Sequence, residues 1–196
     1  MIMSQLKKVL RERIKTALSG MTKEQREIQS ACVAEKLFKL PVYQKAQRVS
    51  VYLSTERELD TMTIIKDLFR QGKEIFVPTY RKNDMEMVQL YSLEDYDSLP
   101  LTKWHIKQPN FEENRPNAMT KGLDLIILPG VAFTRCGNRL GHGMGYYDKF
   151  LKKFFEQHDK TKTALIGVAF KEQIVEMGDL PMEAHDEKLD QVLTSD

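Results

Sequence analysis

Apolar positions along the chain recur with two periods, and the way those periods alternate predicts the fold class. Leu6, Val9, Leu10, Ile14, Ala17 and Leu18 share one helical face, which predicts a helix over residues 4–19 that ends at Ser19-Gly20. Thr22 with Gln25 three residues on reads as a capping box. The helix it opens is predicted to run to about Leu40, before Pro41, with Ile28, Ala31, Leu37 and Phe38 inward. Period two then takes over in Arg48–Ser54, where Val49, Val51 and Leu53 alternate with Ser50, Tyr52 and Ser54. Thr61 reads as the cap of a helix that carries Ile64, Ile65, Leu68 and Phe69 and stops at Gly72. Strands are predicted at Glu74–Thr79 and at Met85–Tyr91, the second antiparallel or at an edge.

From Ser92 to Gly122 the periodicity is lost. Pro100, Pro109 and Pro116 punctuate a polar segment that holds the only tryptophan, Trp104, and predicts a long functional or mobile loop. Leu125–Leu128 is then an apolar run of buried-strand length. A glycine-rich loop follows, and after it a helix to about His158 with Tyr147, Phe150, Leu151, Phe154 and Phe155 on one face. Thr163–Ala169 reads as a strand, Phe170–Met177 as a short helix, and QVLTS near the end as a last strand. Strand–helix alternation from residue 48 predicts one α/β domain over residues 1–196. Its form would be a three-layer sandwich, a mostly parallel central sheet with helices on both faces. In such sheets ligands bind beyond the carboxyl ends of the strands. Leu53–Glu58, Pro78–Arg81, Pro129–Asp148 and the acidic tail are expected to meet there.

Composition narrows the classes without choosing among them. A chain of 196 residues can bury roughly 70% of its unfolded surface, enough for a full core. Hydrophobic residues at 41% and charged residues at 30% are ordinary for a globular domain. A net charge of +2 argues against a nucleic-acid partner held by bulk charge. Cys32 and Cys136 stand far apart, which suits a reducing compartment and excludes a cysteine-rich metal site. The amino-terminal stretch has no long apolar core or cleavage pattern, and no run reaches membrane-spanning length. A cytoplasmic protein with no membrane partner is expected.

The chemistry concentrates after Leu128. Pro129-Gly130 ends the strand, and glycines at 137, 141, 143 and 145 precede the next helix. Glycines let the backbone approach a ligand closely, and free N–H groups at a helix start attract anions. Arg139 adds a fixed charge there, and Asp148 is either a helix-start acid favoured by the dipole or a metal ligand. Lys7, Arg11 and Lys15, at intervals of four on the first helix, read by spacing alone as a solvated face.

At RLGHGMGYYDKFL (Arg139–Leu151) the sequence resembles the 5-formyltetrahydrofolate cyclo-ligase family, also called methenyltetrahydrofolate synthetase. Pro129-Gly130, Phe133 and Gly137 fit the residues preceding that family's loop. Lys7 and Arg11 on the first helix, Leu53 with Glu58 beyond it, and His185, Asp186, Asp190 and Thr194 in the tail all fall in that family's order. The resemblance implies that ATP contacts Lys7, Lys8 and Arg11 and the loop residues Arg139, Leu140, Gly141, His142, Gly143, Met144, Gly145, Tyr146 and Tyr147. Arg139 and Tyr147 would be its catalytic positions. It implies a reduced folate, with or without a polyglutamate tail, bound by Leu53, Glu58, Tyr80, Trp104 and the loop from His142 to Tyr146. Asp148 and Asp186 would hold Mg²⁺, an ion that takes one or two carboxylates with phosphate oxygens and water. Glu58 could accept two hydrogen bonds from a pterin edge. His142 and Met144 occupy the loop's two variable positions and keep no assigned role. The implied reaction is ATP-driven closure of 5-formyltetrahydrofolate to 5,10-methenyltetrahydrofolate by a monomer. The rivals are a sugar-phosphate or nucleotide-binding protein on a similar sheet, and a folate-binding homologue without activity.

Overall fold

A computed structural model describes the chain apart from Met1, Asn83, residues 103–105, Met182, Ala184 and His185. Its helices are α1 (Ile2–Ser19), α2 (Lys23–Phe38), α3 (Pro41–Lys45), α4 (Met62–Arg70), α5 (Leu93–Ser98), α6 (Ala118–Lys121) and α7 (Tyr146–Phe155). The strands are β1 (Arg48–Val51), β2 (Glu74–Arg81), β3 (Asp84–Leu90), β4 (Leu125–Leu128), β5 (Ala132–Phe133), β6 (Arg139–Leu140), β7 (Ala164–Val168) and β8 (Gln191–Leu193). Six strands form the main sheet in the order β3-β2-β1-β4-β7-β8, while β5 and β6 pair by themselves. Only β3 runs antiparallel, at the edge beside β2.

Alternation within the strands builds the three layers. Val49, Val51, Ile75, Val77, Leu125, Ile127, Ile166 and Val168 point to one face, where α2, α3 and α4 supply Val33, Leu37, Tyr43, Ile64, Ile65 and Leu68. Phe76, Ile126, Leu128 and Leu165 point to the other, against Ala118 of α6 and Phe150, Leu151 and Phe154 of α7. Each fully buried aliphatic or aromatic side chain contributes about 1.5–3 kcal/mol. A smaller third cluster joins Leu10 and Ile14 of α1 to Val131, Ala132, Leu140, Val175 and Leu180.

The chain leaves β1 for β2 and β3 on one side of the sheet, then returns through β4 to β7 and β8 on the other. The strand order therefore reverses between β1 and β4, which are themselves paired in parallel. A crevice opens at such a switch point, beyond the carboxyl ends of the strands.

Several expectations need correction. Ile28 is 61% exposed and Ala31 is exposed, so α2 turns a different face inward. The buried polar pair on that face is in use: Gln29 donates to Glu172 and accepts from the Lys171 amide, and Ser30 Oγ accepts from the Asp60 amide. Leu6 and Val9 of α1 are likewise exposed, because the helix docks through Leu10, Ile14 and the half-buried Leu18. Thr61 occupies the start of α4, but its hydroxyl donates to the Tyr52 carbonyl and Asp60 accepts from the Met62 amide instead. Residues 92–122 are not structureless. Ser92 caps α5, Asn117 caps α6, and Arg115 donates to both oxygens of Asp95 at 2.6 and 2.8 Å. The short helix expected at Phe170–Met177 is two separate 3-10 turns, Lys171–Gln173 and Met177–Asp179.

Candidate active site

The loop between β4 and α7 is held from below by residues far away in sequence. Gln173, buried after β7, donates through Nε2 to the carbonyls of Gly130 (2.7 Å) and Val131 (3.2 Å). Gly137 has φ +97°, and a Cβ there would stand 2.2 Å from the Leu189 carbonyl oxygen. Only glycine fits that crossing. The β5–β6 hairpin, which periodicity did not foresee in so short a stretch, then delivers Arg139 with only 5% of its side chain exposed. Arg139 Nη2 lies 2.6 Å from Asp148 Oδ1 and Nη1 donates to the Pro129 carbonyl at 3.3 Å. Its guanidinium also sits 5.6 Å from the centre of the Tyr147 ring.

Across the loop stands α1. Leu10 and Ile14 anchor it, which turns Lys7 and Arg11 to the loop. Lys15 remains outside, beside Glu12. Arg11 Nε donates to the Gly141 carbonyl at 2.8 Å, and its guanidinium passes about 3.5 Å from where a Cβ of Gly143 would be. Lys7 Nζ lies 2.6 Å from Glu183 Oε2 and 3.1 Å from Asp186 Oδ2. Burial pulls the Lys7 ammonium down, but the hydrogen bonds and charges of Glu183 and Asp186 outweigh it and hold the group above the ordinary lysine value. Lys7, Arg11, Arg139, Leu140, Gly141, Gly143, Gly145, Asp148 and Asp186 line one cleft. Nine residues predicted separately for phosphate or metal are thus brought together.

Lys8, His142, Met144, Tyr146 and Tyr147 do not line that cleft. Lys8 is on the exposed side of α1 and Met144 is 55% exposed. His142 Nε2 instead faces Glu58 Oε1 at 3.8 Å. Two lining residues, Ser4 and Glu183, escaped the sequence reading. Ser4 stands one turn before Lys7, so helical spacing could have found it; Glu183 had no signal beyond lying in an acidic tail.

On the far side of the loop a second group of predicted residues gathers. Leu53, buried just past β1, leads to Glu58, whose Oε2 accepts from the Thr55 amide at 2.9 Å. Tyr80 ends β2 and packs edge-on to Tyr146, ring centres 5.0 Å apart. The Tyr146 hydroxyl donates to the Lys82 carbonyl at 2.7 Å. Burial first, and then the Glu58 charge, push the Tyr80 hydroxyl well above the usual phenol range. Tyr147 is also pushed up, by burial and then by Tyr80 and Glu58. Its buried hydroxyl makes no hydrogen bond of ordinary geometry among the described residues, and the Tyr80 hydroxyl is the group near enough to interact with it. Trp104, expected in the same wall, and His185 of the tail motif lie outside the described residues.

A second depression, at the amino ends of the strands, is lined by Pro41, Val42, Lys45, Ala46, Asp124 and Lys162. Asp124 there already accepts from the Gln47 and Arg48 amides and pairs with the Arg48 guanidinium, so its role is to tie the strand starts together.

Sheet, switch point and loop together define an α/β protein with a charged, glycine-lined cradle beside an aromatic pocket. Residues 3–195 match the model of the 5-formyltetrahydrofolate cyclo-ligase family, and the chain belongs to that family of enzymes. A protein from Mus musculus named 5-formyltetrahydrofolate cyclo-ligase is 44% identical over 193 residues, which is 97% of this chain and 94% of the mouse protein. The solution structure of 5,10-methenyltetrahydrofolate synthetase from Aquifex aeolicus superposes with a TM-score of 0.75 at 29% identity, covering all of this chain and 90% of that one. A 5,10-methenyltetrahydrofolate synthetase from Mycoplasma pneumoniae shares the fold with a TM-score of 0.73 at 16% identity, covering 97% of this chain and 99% of that one.

Proposed function

We propose that this protein closes 5-formyltetrahydrofolate to 5,10-methenyltetrahydrofolate at the expense of ATP, with Mg²⁺ bound, and releases ADP and phosphate. The observation that carries this reading is the meeting of two unlike half-sites across one loop. On one side are three cations and glycine backbone; on the other, a carboxylate among phenols, one of which is buried with a hydroxyl that makes no well-formed hydrogen bond. An orphaned buried donor costs about 1–3 kcal/mol and is best explained by a ligand atom that satisfies it.

In this reading Lys7, Arg11 and Arg139 hold the phosphates, and the loop amides before α7 orient them. The donor set fits Mg²⁺. Asp148 and Asp186 line the same cleft, and magnesium needs only one or two carboxylates when phosphate oxygens and water complete its shell. Among the described residues no group of three metal-ligating side chains occurs, so an all-protein cage is not the arrangement on offer. When bound, the ion would neutralise phosphate charge. Glu58 would grip the pterin edge with the oxygen not committed to Thr55, and Tyr80 and Tyr146 would flank the rings. Tyr147 would donate its hydroxyl proton in a hydrogen bond to the formyl oxygen, orienting it.

The formyl oxygen attacks the γ-phosphorus, and the bond from that phosphorus to the β-bridging oxygen breaks, releasing ADP. N10 then attacks the formyl carbon; its proton is lost, the carbon–oxygen bond breaks, and phosphate leaves. Such chemistry needs positioning and charge stabilisation rather than a side-chain nucleophile. The reading keeps the monomer that the resemblance implies. It also carries the cytoplasmic location expected from the two unpaired cysteines. No helix among the described residues is long and apolar enough to cross a membrane. The test is to incubate the protein with 5-formyltetrahydrofolate and MgATP and follow the methenyl chromophore in the near ultraviolet together with ADP. Chromophore and ADP should rise in equal amounts. ADP without chromophore, or neither product, would reject the reading.

A further inference from the structure

Two of the three cations of the phosphate cradle are already paired with carboxylates. Arg139 holds Asp148 at 2.6 Å, and Lys7 holds two carboxylates, Glu183 at 2.6 Å and Asp186 at 3.1 Å. Arg11 is the third cation. Among the described residues three positive and three negative side chains line the cleft, so their formal charges cancel.

A polyphosphate that entered alone would meet those three carboxylates at close range, and would have to displace two of them from Lys7. If Asp148 and Asp186 are metal ligands, as the proposed function has it, a divalent cation takes both, and Arg139 and Lys7 turn to phosphate together. That accounts for two of the three acids. Glu183 is the third. It is assigned to neither metal nor folate, and it makes the shorter of the two contacts to Lys7. Its side chain is 45% exposed, so water can take the place of Lys7 at the carboxylate, whereas that of Asp186 is 11% exposed and also accepts from the Glu183 amide at 2.9 Å.

We propose that Glu183 is a specificity residue that makes the cradle select metal-bound over metal-free nucleoside triphosphate, by holding Lys7 as a counter-ion until the added charge of the metal lets phosphate displace it. The inference rests on the ATP reading above. With the metal bound, one exposed carboxylate competes against a ligand whose charge is partly neutralised. Without it, the same carboxylate adds its repulsion to that of Asp148 and Asp186 against a fully charged triphosphate. Removing Glu183 therefore favours the metal-free ligand more.

The test is equilibrium titration calorimetry of the wild-type protein and Glu183→Gln with ATP in EDTA and with ATP in excess Mg²⁺. A surface pair of this kind is worth up to about 1 kcal/mol, or about fivefold in affinity. The expected result is that Glu183→Gln tightens metal-free ATP by about that factor, so that the ratio of the two affinities falls by about three- to fivefold. Glu183→Asp keeps the charge and should hold the ratio within twofold of wild type. Raising the salt to about 1 M, where screening acts within about 3 Å, should shrink the difference. A merely structural Glu183 would weaken both ligands alike. An unchanged ratio, or a loss of metal-free binding in Glu183→Gln with the melting temperature retained, overturns this inference and leaves the proposed function standing. Failure of the wild-type protein to bind ATP under either condition overturns both.

Discussion

Tyr147 buries a phenol hydroxyl that makes no well-formed hydrogen bond among the described residues, even with the Tyr80 hydroxyl near it, which is a cost to the fold. Removing an unsatisfied buried polar atom relieves that cost instead of adding one. Tyr147→Phe is therefore expected to unfold at a melting temperature equal to or above that of the wild type. If the hydroxyl orients the formyl oxygen, the same change should lower kcat by about tenfold to a hundredfold, the loss expected when one positioning hydrogen bond of about 1.5–3 kcal/mol disappears. Thermal unfolding and steady-state kinetics on one preparation check both halves. A clear loss of stability would mean that the hydroxyl is satisfied within the fold. Unchanged turnover would remove it from the reaction. Gly137 is the contrasting case, where a residue matters to the site through the fold alone. Its φ of +97° and its 2.2 Å approach to the Leu189 carbonyl keep the loop against the tail, with no contact to any ligand required.

Among the elements, those with long periodic patterns were legible in the sequence and those fixed by single tertiary contacts were not. The capping box of Thr22 and Gln25 forms in both directions, because both partners are local. β4 and α7 follow their apolar runs for the same reason. The inward face of α2 was misread, since Gln29 and Ser30 look like surface residues until their partners at 60, 171 and 172 arrive. The site shows the same division. The glycine loop and its arginine could be read in the chain, but Glu183 has a role only because the tail folds back onto Lys7. The segment from Ser92 to Gly122 was read as loose because its order comes from Arg115, which no periodicity marks. The Arg115 side chain is 8% exposed and binds Asp95 and Glu113, and also donates to the Gln89 carbonyl. Hydrogen bonding from Arg115 holds the Asp95 carboxyl below its ordinary value of 3.8. A carboxyl depressed on folding contributes stability above its unfolded pKa and loses it as pH falls through the folded one. Asp95→Asn is thus expected to destabilise the protein by about 2 kcal/mol at neutral pH, with one charged hydrogen-bonded partner left behind. The gap between the variant and the wild type should narrow as the pH falls below about 4. Denaturant titrations at pH 7 and at successive acid steps would measure it, and a gap independent of pH would show that the pair is not what orders this segment.

At the scale of the whole molecule, the two substrates are assigned to parts of the chain that differ in how firmly they are attached. Glu58 follows the central strand β1 and Tyr80 lies near the end of β2, strands packed on both faces. Lys7 and Arg11 ride on α1, which is fixed by Leu10 and Ile14 while Leu6 and Val9 face solvent. Two fully buried anchors contribute about 1.5–3 kcal/mol each and the half-buried Leu18 adds less, far short of what packs the sheet, so α1 should open locally well before the sheet does. Any opening that detaches α1 also removes two of the three cations proposed for the triphosphate, and so forfeits the binding energy. At about a hundred times its Kd, MgATP would stabilise the closed form by about 2.7 kcal/mol, which slows exchange through such openings by about a hundredfold. Hydrogen exchange with and without MgATP should therefore show its largest protection in the amides of α1. Amides of the β3 edge, whose local openings leave the cradle intact, should change little. Protection confined to the β4–α7 loop, with α1 unaffected, would take Lys7 and Arg11 out of the nucleotide site and return them to the solvated face that their spacing alone suggests.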